Sequence, residues 1–377
     1  MRWVGTWTTS PVVTEGLAFD NQTLRMIGRV SLGGRTARVR LSNAYGKQSL
    51  AIGEARIALR EAGAAIVSGS DRKLTFHGQD STVIPAGALA VSDPVALEIP
   101  PLADVAVSIH LPGELPESFQ ITGHGNCHQT NYVSPPGNHA DAVVMPVMQT
   151  TESWYVVIGI EVEAPDRTAG IVCFGDSLTD ANLSSLDTNH RWPDQLARRL
   201  AAHQGRPVAV MNQGIGGNRI LHDVRGDNGV KRFDRDALAQ PGATHVIVFL
   251  GINDIRYRAD REHEMVTAEQ MIAGLEQLAF RAHACGLKAY GATLLTFENE
   301  TFLAGAYTKA GEAKRQAVNA WLRSSRAFDA VLDFEAALRD PANPTQMLPL
   351  YDCGDHLHPS DAGYDRLGDS IELGLFD

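Results

Sequence analysis

The chain lacks most features that mark specialised protein classes. It has 4 cysteines in 377 residues. Cys127, Cys173, Cys285 and Cys353 lie far apart, which excludes a disulfide-stapled scaffold and reads as four free thiols. No run of about eighteen apolar residues occurs, so no membrane-spanning helix is expected. The opening Met1-Arg2-Trp3-Val4-Gly5-Thr6-Trp7 has no apolar stretch of the signal-peptide kind. That points to the cytoplasm; the alternative is a secreted protein whose leader has been removed. No basic run is present and the formal net charge is −11, so nucleic acid is not an expected partner. Repeats and low-complexity tracts are missing as well. What remains is 44% hydrophobic and 20% charged, the make-up of an ordinary globular protein of two domains.

The texture changes near residue 165. Before it, apolar residues alternate with polar ones. Ala37, Val39 and Leu41 are expected to face inward while Arg38 and Arg40 face water. The alternation recurs at Val95, Leu97 and Ile99, at Val105, Val107, Ile109 and Leu111, and from Trp154 through Val156, Ile158 and Ile160 to Val162. Gly33-Gly34 between Arg29–Leu32 and Arg35–Leu41 carries a hairpin signature. The stretch from Leu111 to His139, rich in proline and glycine, reads as a long loop. No helical period appears before about residue 165. Residues 1–165 therefore read as an antiparallel β-sandwich or jelly roll. The junction falls between Glu163 and Thr168, where Pro165 breaks the pattern.

Beyond the junction, strand-like runs alternate with helical patterns. The runs are Ile171–Phe174, Val208–Met211, His245–Leu250, Lys288–Leu295 and Ala330–Phe334. Between them, Trp192, Leu196 and Leu200 recur at four-residue spacing, with Pro193 suited to a first helical turn. Thr267 with Gln270 forms a capping-box pattern. It precedes the apolar face Met271, Leu275, Leu278, Ala279 and Ala282, and Gly286 ends that helix. Val318, Trp321 and Leu322 mark another face. Such alternation predicts right-handed crossovers and a parallel sheet with helices on both faces, over residues 168–377.

Chemistry concentrates just past these strands. Gly175-Asp176-Ser177-Leu178 follows the first, and open α/β sheets bind ligands at the carboxyl edge. A serine hydroxyl there is a weak nucleophile without a base and an orienting acid. Asn212-Gln213-Gly214-Ile215-Gly216-Gly217 follows the second strand and Gly251-Ile252-Asn253-Asp254 the third. Asp355-His356-Leu357-His358 stands near the C-terminus. These four blocks, in this order, resemble the GDSL, or SGNH, hydrolase family of serine esterases and lipases. The resemblance covers residues 168–377 and implies a flavodoxin-like fold. It also implies Ser177 as nucleophile, His358 as base and Asp355 as the group that orients it. The backbone N–H groups of Ser177 and Gly217 and the amide of Asn253 would form the oxyanion hole. No cofactor and no metal are implied.

Other readings of these residues are weaker. Gly214, Gly216 and Gly217 do not have the spacing of a phosphate-binding loop. Cys353, Asp355, His356 and His358 could be read as metal ligands, as could His124, Cys127 and His128, but each set lacks a matching partner cluster. Trp3–Trp7, Arg38–Asn43 and His190-Arg191-Trp192-Pro193-Asp194 resemble a two-domain subgroup of GDSL esterases, some of which act on acetylated plant polysaccharides. The expected activity is therefore hydrolysis of a short acyl ester, acetyl in the first place, of a sugar or other small alcohol. An acyltransferase using the same site and a carbohydrate-binding protein with little catalysis are the alternatives. The partner is a small-molecule or carbohydrate ester; oligomeric state is left open.

Overall fold

A computed structural model describes residues 1–14, 18–256 and 262–377. They divide into two units, Met1–Thr168 and Ala169–Asp377. Among the described residues the first unit holds no helix. Its longer strands are β1 (Arg2–Thr8), β2 (Phe19–Arg29), β3 (Gly34–Ser42), β4 (Glu54–Ala62), β5 (Asp104–Leu115), β6 (Asn131–Pro136) and β7 (Val157–Ala164). One antiparallel sheet runs β1–β7–β3 and another β6–β2–β5–β4. Their inward faces share a core that includes Trp7, Leu24, Met26, Val39, Leu41, Val107, Ile109 and Ile160.

Four expectations for this unit need correction. Gly33-Gly34 is not a hairpin turn, because β2 and β3 belong to different sheets. The glycines carry the chain across that gap through tight contacts. A Cβ at Gly34 would stand 2.7 Å from Val162 Cβ, and one at Gly33 2.7 Å from Pro101 N. Ala37, Val39 and Leu41 are buried as their spacing requires. Arg38 and Arg40, however, do not simply face water. Both reach the buried Glu161 of β7, which stands opposite Arg38 in the register. The segment from Leu111 to His139 is partly strand, at Ile121–Gly125 and Asn131–Pro136. Finally, the run Trp154–Val162 is two strands, Ser153–Tyr155 and β7. Val156 between them has φ +65°, so the alternation changes phase there.

The second unit is built on a parallel sheet of β8 (Ala169–Gly175), β9 (Val208–Gly214), β10 (His245–Phe249), β11 (Lys288–Ala292) and β12 (Ala330–Leu332). Their spatial order is β9–β8–β10–β11–β12. Every residue of β8 is buried, as in a sheet covered on both faces. Its helices include α1 (Ser177–Asp180), α2 (Trp192–Ala202), α3 (Ile252–Arg256), α4 (Ala268–Ala284), α5 (Lys309–Ser324) and α6 (Asp361–Ser370), with further short helices at Gly229–Phe233 and Phe334–Leu338. The chain steps one way from β8 to β9 and the other way from β10 to β12. Right-handed crossovers then put the intervening helices on opposite faces. Accordingly α2 packs with α6, and α4 with α5. Helix α4 begins at the capping box of Thr267 and Gln270, buries Met271, Leu275, Leu278, Ala279 and Ala282, and is followed by Gly286 at φ +76°.

Candidate active site

Three neighbouring strands end level with one another. Gly175 of β8 pairs with Gly214 of β9 and with Phe249 of β10. The order reverses at β8, so this edge is the topological switch point where such sheets bind ligands. Ser177 comes two residues past its strand end, Gly217 three and Asn253 four. All three residues therefore stand beyond one edge.

Ser177 opens α1. The carboxylate of Asp176 caps the helix by accepting the Leu178 N–H at 3.0 Å. The turn lies tight against β9: a Cβ on Gly214 would come within 2.8 Å of Asp180 Cα, so only glycine fits. Asp176 is fully enclosed. Burial pushes its carboxyl up to about 7, against the Leu178 N–H and the charges of Arg256 and Arg232, which pull it down.

Asp355 and His358 share one loop ahead of α6. It is closed by a bridge between Asp352 and Pro359 and by the Cys353 N–H, which donates to the His358 carbonyl at 3.1 Å. Asp355 Oδ1 accepts the N–H groups of Leu357 at 2.9 Å and His358 at 2.8 Å. Its Oδ2 lies 2.6 Å from His358 Nδ1, and His358 Nε2 lies 3.0 Å from Ser177 Oγ. Partial burial works against the Asp355 charge. The His358 hydrogen bond and charge, with the two N–H donors, outweigh it and hold the carboxyl well below the usual carboxylate range. His356 points elsewhere. Its Nδ1 lies 2.6 Å from Asp352 Oδ2 and its side chain is half exposed.

The proposed oxyanion donors are equally constrained. Gly217 has φ +73°, a backbone that ordinary side chains avoid. Asn253 Nδ2 donates one proton to the Asn218 carbonyl at 3.0 Å, and Oδ1 accepts from Arg256 Nη1 at 2.9 Å. An amide nitrogen has two protons, so one is left. Arg232 frames the floor. It donates to the carbonyls of Gly175 at 2.7 Å and Gln213 at 2.9 Å and to Asn218 Oδ1 at 3.0 Å. Buried Asp254 accepts the Ile220 N–H at 2.7 Å, and burial pushes its carboxyl up to about 6.

The sequence reading missed Arg232, Arg256, Glu300 and Asp352. A lone arginine or acid in a loop carries no spacing signal. Only Asp352 was traceable, as one more acid in the stretch that ends at His358. For metal binding, Asp352, Cys353 and Asp355 form the one group of described residues whose ligand atoms lie within 4.8 Å of one another. The fit is poor. Asp352 and Asp355 already accept N–H groups at both oxygens, and burial pushes the Cys353 thiol up to about 12, whereas a metal needs the thiolate. The residues His124, Cys127 and His128 form no such group.

A model of the GDSL-like lipase/acylhydrolase family matches residues 171–371, which is 201 of the 377 residues. The chain belongs to this family. As a GDSL-like acylhydrolase it is a carboxylic ester hydrolase. No curated protein matches it. Among solved structures it is similar to a carbohydrate acetylesterase from Sinorhizobium meliloti, at 18% identity over 54% of this chain and 96% of that one, with a TM-score of 0.43. It is similar also to an acetylxylan esterase from Geobacillus stearothermophilus, at 20% identity over 54% of this chain and 91% of the other, TM-score 0.41. An α/β hydrolase from the Lake Arreo metagenome matches at 20% identity over 54% and 92% of the two chains, TM-score 0.42. No helix of the described residues is long and apolar enough to cross a membrane.

Proposed function

We propose that this acylhydrolase removes short acyl groups, acetyl first among them, from a sugar or other small alcohol by way of an acyl-enzyme on Ser177. The observation that carries the reading is the chain of contacts from Ser177 Oγ through His358 to Asp355, at 3.0 and 2.6 Å. In this scheme the Ser177 hydroxyl donates to Nε2 and its oxygen attacks the ester carbon as the proton passes to the ring. The carbonyl electrons become an oxyanion, which the N–H groups of Ser177 and Gly217 and the second Nδ2 proton of Asn253 receive. When the C–O bond to the alcohol breaks, His358 returns the proton to the departing oxygen. Water, deprotonated by the same ring, then cleaves the acyl-enzyme, and the ring returns that proton to Ser177 Oγ as the C–O bond to serine breaks. Asp355 keeps the proton on Nδ1 and stabilises the imidazolium.

The preference for a short acyl group rests on the resemblance to esterases that act on acetylated polysaccharides. The sugar alcohol rests on the resemblance of the Trp3–Trp7 and His190–Asp194 segments to two-domain esterases. A panel of p-nitrophenyl esters of rising chain length, run beside acetylated oligosaccharides, tests both points. Acetate esters are expected to turn over fastest and to lose all enzymatic turnover in Ser177→Ala, while a fluorophosphonate labels Ser177 alone. Retained activity in that variant would remove Ser177 from the mechanism.

A further inference from the structure

The Asn253 amide is held at both ends by groups of opposite chemistry. Nδ2 faces the Asn218 carbonyl and Oδ1 faces the Arg256 guanidinium. The two ends of an asparagine amide are alike in shape and opposite in hydrogen bonding. Turned over, the amide would set oxygen against the Asn218 oxygen and nitrogen against a cation. The present setting leaves an N–H for a developing oxyanion; the turned one would offer it a lone pair.

Arg256 is itself fixed. It closes α3 and is buried. Its Nε donates to Glu300 Oε2 at 2.5 Å and its Nη2 to Oε1, a two-pronged pairing that sets the plane of the guanidinium. Glu300 Oε1 also accepts the Leu303 N–H at 2.9 Å. The same short segment reaches the acid and the base. The Thr301 N–H donates to the Asp355 carbonyl at 3.0 Å. The Phe302 ring stands edge-on to His358 with centroids 5.7 Å apart, and the Arg256 guanidinium carbon lies 5.8 Å from the Phe302 centroid.

A buried ion pair is a poor source of net stability, because desolvation offsets most of the attraction. Orientation is a better account of this one. We propose that Arg256, clamped by Glu300, is a positioning residue that holds the Asn253 amide with its spare N–H turned to the oxyanion. The inference rests on the oxyanion role given to Asn253 above. It adds that the donor is preorganised by a guanidinium that never touches the substrate, so no reorientation is needed as charge develops.

The test is a double-mutant cycle on a p-nitrophenyl acetate assay, with kcat and KM separated. Asn253→Ala is expected to lower kcat by roughly 10²–10³. Arg256→Lys, which keeps the charge but loses the fork, is expected to lower kcat by about tenfold or more with KM changed by less than about twofold. Because Arg256 acts through Asn253, Arg256→Lys added to Asn253→Ala slows the enzyme no further. Glu300→Gln keeps the shape of the clamp and weakens it, and falls between wild type and Arg256→Lys. Thermal melts accompany each variant; if Arg256→Lys does not fold, the same cycle is read with Glu300→Gln. Wild-type kcat in Arg256→Lys overturns the proposal, as does an equal slowing with and without the Asn253 amide. If Asn253→Ala itself leaves kcat intact, the oxyanion role fails and the positioning role with it, while labelling of Ser177 by a fluorophosphonate still stands or falls alone.

Discussion

At the scale of the residue, Asp355 does more than one job with a single carboxylate. One oxygen holds the loop through two backbone N–H groups and the other meets His358 Nδ1. Asp355→Asn separates the two roles. The amide oxygen can keep the backbone bonds, but its NH₂ then faces Nδ1 and favours the wrong tautomer. The expected result is a fold close to wild type by circular dichroism and a kcat lower by about 10⁴. Activity within a few-fold of wild type would mean that the ring needs no partner at Nδ1. The neighbouring His356 gives a built-in control. It makes its own pair with Asp352.

At the scale of the element, the site depends on how closely α1 is drawn onto β9. Gly214→Ala puts a methyl against the backbone of Asp180. Overpacking of this sort costs about 1–3 kcal/mol, and a shift of the helix is expected to carry Ser177 with it. The variant is expected to lose that much stability in urea titration and to react with a fluorophosphonate more than tenfold more slowly; unchanged labelling would show that α1 shifts without its first residue. Elements were legible in the sequence where a local pattern decided them. The capping box at Thr267, the buried run of β8 and the serine, glycine, asparagine and histidine blocks all announce themselves within a few residues. What was not legible depends on partners far along the chain. Gly33-Gly34 looks like a turn until Val162 and Pro101 are known to stand against it. Arg38 looks solvent-facing until Glu161 arrives opposite. Arg256 and Glu300 are separated by 44 residues and have no motif in common.

At the scale of the whole molecule, two sets of carboxyls respond to pH with opposite sign. Asp355, Asp333 and Glu335 are held below their ordinary range because His358, Arg323 and Arg315 overcome their partial burial. Their contribution to stability is present above the ordinary carboxylate range and is lost as pH falls below it. Burial raises Asp176 to about 7 and Asp254 to about 6. Their contribution is present at low pH and is lost as pH rises through those values. The melting temperature is therefore expected to peak near about pH 4 and to decline up to about pH 7. Asp176→Asn, which can still accept the Leu178 N–H, is expected to melt higher than wild type at about pH 8 and to gain nothing at about pH 4. Calorimetry across a buffer series checks it, and a flat profile from mildly acid to alkaline pH would show that Asp176 ionises at no cost.

The level strand ends of β8, β9 and β10 carry a lesson about length. Ser177, Gly217 and Asn253 overshoot a shared edge by two, three and four residues, and those overshoots work like a reading frame. One residue inserted in any of the three is expected to shift Ser177, Gly217 or Asn253 relative to the other two. One residue inserted in the exposed turn at Ser185–Asp187 changes nothing in that count. Tolerance to insertion in this unit is therefore governed by position relative to a line across the sheet, so chemical identity is preserved by counting as much as by composition.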